Sequence, residues 1–200
     1  MRMRSLAAAG LLCGAAAAQA TILVNSPSFV YSETFDTLTT STSNTPWVND
    51  STLAGWSLFI STGAAAATYA ADSGGSNAGT FRSYGSTGSG DRALGGAASG
   101  GTYFGSPASG AVAGWIAVAF TNTTGGALTG FTVGFDGEQW RNGGNTAAQP
   151  MVLEYGFGSS FAGVTWTAPG GSFDWTSPVV GSTAAAVNGN VAGRVGGVGG

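Results

Sequence analysis

Asp136, Glu138, Trp140 and Arg141 stand within the stretch FTVGFDGEQWRNGG, residues 131–144, of a 200-residue chain that is only 8% charged. Charges this scarce meet either a ligand or one another. Two carboxylates two positions apart share a face if the segment is a strand, and paired acids are all that glycoside hydrolysis requires. Glu154 is a further acid able to approach from another strand. A tryptophan flanked by acids and by Asn142 and Asn145 is also the composition of a sugar-stacking surface. The alternative is structural: Arg141, turned inward, pairs with Glu138 or with Glu33 and pins sheet to sheet. The residues leave both readings open, with the structural pin favoured and no catalytic residue assigned.

Other chemistry is closed by composition. The chain has no histidine, and its six Lys+Arg positions are all arginine. A Ser-His-Asp hydrolase and a serine-lysine dyad therefore lack their bases, and a phosphate-binding P-loop lacks its lysine. No metal ligand set or cofactor motif is present. The oxygen-rich segment ADSGGSN at 71–77 lacks the spacing of a calcium loop and reads as a solvated turn.

The first twenty residues, MRMRSLAAAGLLCGAAAAQA, have the basic start, apolar run and small-x-small end of a signal peptide, with cleavage expected after Ala20. Cys13 belongs to that apolar run, and Leu12 before it is too large for a lipidation site. The mature chain then has no cysteine, so a sheet core must hold it together. It carries four arginines against nine acids, a net charge of −5. That balance disfavours nucleic acid as a partner, and beyond the leader no apolar run reaches membrane-spanning length.

The elements expected to position the cluster are strands. Glycine occurs 36 times, and apolar and polar residues alternate with period two in blocks at 29–38, 53–61, 79–86, 114–122, 130–135 and 150–157. The blocks at 114–122 and 130–135, joined by TNTTGGALTG, predict an antiparallel hairpin. No segment has the period of a crossover helix. The expectation is an all-β, two-sheet antiparallel β-sandwich of jelly-roll or lectin-like kind over residues 21–192, with long Gly/Ala/Ser-rich loops and a flexible glycine-rich tail at 193–200.

Five segments taken together, ETFDTL at 33–38, LAGW at 53–56, RSYGSTGSGDRALGG at 82–96, GFDGEQWRNGGN at 134–145 and SFDWTSP at 172–178, resemble secreted bacterial proteins that often end in a PEP-CTERM sorting signal, and the resemblance implies a domain incomplete at its C-terminal end, before that signal. EQWR is the most specific of these elements. The resemblance implies an exported protein of a Gram-negative envelope or exopolysaccharide matrix, with exosortase as a partner if a sorting signal follows. It carries over no catalytic motif. The expected function is a non-catalytic extracellular β-sandwich module, with a carbohydrate-binding module as first alternative, extracellular polysaccharide as its partner, and a glycosidase as second.

Overall fold

The computed structural model describes residues 21–97 and 112–200; the leader expected over 1–20 lies outside them. The chain is mostly strands and loops, and its helical content in the described residues is two single turns of 3₁₀ helix, Phe161–Gly163 and Gly171–Phe173. The strands are β1 (Ile22–Val24), β2 (Thr45–Pro46), β3 (Trp56–Ile60), β4 (Thr68–Asp72), β5 (Thr80–Tyr84), β6 (Ala93–Ala97) and β7 (Gly114–Val118). They continue as β8 (Phe120–Asn122), β9 (Gly134–Glu138), β10 (Arg141–Gly143), β11 (Pro150–Met151), β12 (Trp175–Thr176), β13 (Ala184–Ala186) and β14 (Arg194–Gly199).

The all-β class therefore stands, but the sheets are small and do not close. The largest has the order β2-β4-β5-β6; the others are the pairs β3-β7, β1-β8, β9-β14, β10-β13 and β11-β12. The core lies where β3 meets the four-stranded sheet. Leu58 of β3, fully buried, packs with Leu38, Trp47, Ala66, Tyr69 and Phe81. Strand period two explains this: on β5, Phe81 faces that core and Thr80, Arg82 and Tyr84 face the other way.

Strands β4 and β5 run parallel, with Asp72 opposite Tyr84. Parallel neighbours usually need a crossover of about a dozen residues or more, yet only residues 73–79 connect these two. Charged side chains make so short a return possible. Asp72 Oδ1 accepts the N–H groups of Gly74 and Gly75 at 2.9 and 3.0 Å, and its Oδ2 accepts Ser76 N–H at 3.1 Å. Arg82 Nη2 donates to Ser76 Oγ and to the Ala78 carbonyl. Gly74 adopts φ +91°, a conformation that a side chain would strain.

Several sequence expectations are corrected. Residues 29–38 form no strand, because Glu33 Oε1 accepts the Phe35 N–H at 2.7 Å and Leu38 N–H closes a turn on the Phe35 carbonyl. Local side-chain bonding of this kind competes with a ladder. The predicted hairpin does not form either. β7 pairs with β3, β8 runs parallel to β1, and β9 pairs with β14. Ala119 is the junction: its N–H goes to the Gly55 carbonyl and its own carbonyl receives Ile22 N–H, so the chain changes partner there. Of the block 150–157 only Pro150–Met151 is strand, since Leu153 N–H is taken by Asp174 Oδ1. The tail expected to be flexible from residue 193 is β14, hydrogen-bonded along β9.

Candidate functional site

Strand β9 presents Phe135, Gly137 and Gln139 to one side and Asp136 and Glu138 to the other, as its period requires. The bulge in this pair lies on the partner strand β14, where Gly196 and Gly197 together oppose Asp136. Gly137 is needed for space: a Cβ there would fall 2.0 Å from the ring of the buried Trp175.

Each member of the cluster has a partner, and none is the partner expected. Asp136 Oδ1 accepts Gly197 N–H at 2.8 Å, and its Oδ2 pairs with the Arg194 guanidinium. The Gly197 N–H first, and then Arg194, hold this exposed carboxyl below the usual aspartate range. Glu138 is half-buried and accepts the Trp140 indole N–H on Oε2 at 2.8 Å. Burial pushes its carboxyl up, an effect that the indole bond opposes and that Asp91 and Asp136 reinforce.

Trp140 is only 4% exposed, so its ring is not free to stack on a sugar. At Trp140 this side of the chain is covered by β5 of the four-stranded sheet. Tyr84 of β5 lies parallel to the Trp140 ring with centroids 6.2 Å apart. Burial in this contact, followed by the neighbouring Asp72, pushes the Tyr84 phenol up to about 12.

Arg141 does not pair with Glu138 or Glu33. Its Nη1 donates to the carbonyls of Gly74 and Gly75 at 3.0 and 3.1 Å, in the very loop that Asp72 holds from its N–H side. Glu33 is instead occupied by Tyr31 O–H and Phe35 N–H. Asn142 is buried: its amide donates to the Gly181 and Thr183 carbonyls and its Oδ1 accepts Gly144 and Asn145 N–H, a turn-building role. Asn145 is exposed and accepts Ala147 N–H.

Sequence reasoning missed Gln139, Asp72 and Arg82. Gln139, buried between the charged positions, donates to the Val179 carbonyl and accepts Val179 N–H, both at 2.8 Å. Period two from Phe135 would have found it. Asp72 and Arg82 had no such signal, because their meaning depends on a crossover loop that period cannot reveal.

The described residues contain no group of three or more His, Cys, Asp or Glu placed to hold a metal ion. A cleft of about 4030 Å³ runs along the open sheets, far above the roughly 300–1,000 Å³ of small-molecule pockets. Part of its wall is an aromatic group absent from the sequence reading as a unit: Phe161 stacks on Phe59 at 3.8 Å and touches Trp115 and Trp166 at 5.5 and 5.2 Å. Comparison with known proteins finds no matching family model, no matching curated protein and no matching solved structure.

Proposed function

We propose that this chain is a non-catalytic, exported β-sandwich-like module of a bacterial envelope or extracellular matrix, and that FDGEQWRNGG is its structural pin. One observation carries the reading. Asp136, Glu138 and Arg141 all have partners within the chain, and the ring between them is buried. Carboxyls pushed in opposite directions, Asp136 down and Glu138 up, are what an acid/base pair requires. Here both Asp136 oxygens are already engaged, which favours structure over glycoside hydrolysis.

Export rests on the leader-like residues 1–20; delivery by an exosortase rests on the resemblance and would need a sorting signal C-terminal to residue 200. A carbohydrate-binding reading draws support from a different place, the half-buried rings of Trp115 and Trp166 beside Phe161 on the cleft wall. Polysaccharide arrays and a reducing-sugar assay on the chain from residue 21 separate the readings. The structural reading expects neither binding nor release. Binding that Trp115→Ala or Trp166→Ala abolishes would replace it with the binding module, and sugar release that Glu138→Gln abolishes would replace it with a glycosidase.

A further inference from the structure

Strands β7 and β8 are one run of chain, residues 114–122, and both of its partners lie along a single edge. Ala119 shows this: its N–H goes to the Gly55 carbonyl beside β3, and its own carbonyl takes the Ile22 N–H of β1. The N–H and C=O of one strand residue point to the same edge, and successive residues alternate. Trp115, Ala117, Ala119 and Thr121 therefore bond toward β3 and β1. The backbone groups of Gly114, Ile116, Val118 and Phe120 point to the opposite edge, which among the described residues has no neighbouring strand. Val118, Phe120 and Asn122 are exposed, so solvent reaches the C-terminal half of that edge.

An exposed strand edge is a template for another strand, and proteins blunt such edges with charges, prolines or bulges. β6 begins directly after Asp91 and Arg92, and β9 carries Asp136 and Glu138. The edge at 114–122 has no such guard. Residues 112–135 contain no charged residue and no proline, and each pairing of the run keeps an unbroken register. We infer that this edge pairs antiparallel with the same edge of a second copy of the chain, about a two-fold axis at Val118. The axis sets Val118 opposite Val118, each donating its N–H to the other's carbonyl, and Ile116 opposite Phe120 on either side. A contact of this kind is self-complementary, as a two-fold interface must be. Its cross-strand pairs are apolar, and no like charges face each other across it, so an otherwise acidic chain meets its own copy here without repulsion.

Sedimentation equilibrium of the chain from residue 21 should show a reversible monomer–dimer equilibrium, and Val118→Pro should raise its dissociation constant about tenfold or more. The Val118 N–H points to the free edge, so proline there removes a bond between copies and none to β3. Val118→Lys sets like charges opposite each other at the axis and should act in the same direction; it carries the test if the proline variant loses the native near-ultraviolet tryptophan signal. The chain from residue 21 has no cysteine, so Val118→Cys can form a disulfide only with another copy. Directly opposed Cα atoms about 5.5 Å apart suit a disulfide. Oxidation should therefore give a covalent dimer for Val118→Cys and none for Phe120→Cys, two residues from the axis. A chain that stays monomeric up to about 1 mM, a dimer that the Val118 variants leave intact, or crosslinking of Phe120→Cys as efficient as that of Val118→Cys overturns the proposal.

Discussion

At the scale of single residues, the four chemically suggestive side chains of the cluster do four different structural jobs. Arg141 satisfies carbonyls and leaves no carboxylate stranded when removed. Arg141→Ala therefore forfeits hydrogen bonds from a charged donor, at about 1.5–3 kcal/mol, rather than exposing a buried unpaired charge. Trp140→Ala removes a buried indole and opens a cavity against Tyr84, for about 3–5 kcal/mol. Urea unfolding orders the two, with Trp140→Ala the more damaging. The acids titrate with opposite consequences. Asp136, held below its ordinary value, contributes stability that is present above that value and lost as pH falls through the folded one. Glu138, pushed above its ordinary value, contributes stability that is present below that value and lost as pH rises through the folded one. Midpoints measured against pH should therefore lose the acid-side decline selectively in Asp136→Asn and the decline above the ordinary glutamate range in Glu138→Gln.

At the scale of elements, the controlling feature is the crossover between β4 and β5, held from inside by Asp72 and Arg82 and from outside by Arg141. Asp72→Ala strips three N–H groups of their acceptor and leaves Arg82 without its nearest carboxylate, which for a buried charge typically costs about 3–5 kcal/mol. Because Arg141 grips the opposite side of the same peptide groups, Asp72→Ala and Arg141→Ala should not add. A double-mutant cycle should show coupling of about 0.5–3 kcal/mol, and strict additivity would mean that the loop is not the shared element. Gly137→Ala tests β9 independently: overpacking against Trp175 typically costs about 1–3 kcal/mol, seen as a lower urea midpoint. These elements also mark what was legible in the sequence. Period two located β3, β5, β7 and the start of β9, because apolar and polar residues alternate along each of those blocks. It could not give their partners. Pairing depends on which edge is free when the chain returns, and at Ala119 a single residue hands the chain from β3 to β1. Nor did it foresee that GRVGGVG would pair as β14, since that segment's apolar content is low and its place is fixed by the Gln139 N–H, the Arg194–Asp136 pair and the ladder to β9.

At the scale of the whole molecule, the packing is one-sided. The core around Leu58 is closed, while Phe131, Phe157 and Val152 are 67%, 84% and 55% exposed, and Phe131, Tyr155 and Phe157 touch ring to ring along the cleft. Contiguous exposed apolar surface is uncommon on soluble monomers and marks either contact with another molecule or a tendency to associate. The chain from residue 21 should therefore bind a hydrophobic dye while its near-ultraviolet tryptophan signal is still native, which separates this surface from a loosened core. Phe131→Ser and Phe157→Ser should reduce dye binding and shift the unfolding midpoint little, because exposed positions usually contribute within about 0.5 kcal/mol either way. If either substitution instead costs as much as Trp140→Ala, those rings belong to a packed interior and the cleft is closed in solution. If neither changes dye binding, the dye reports some other surface and the one-sided description fails.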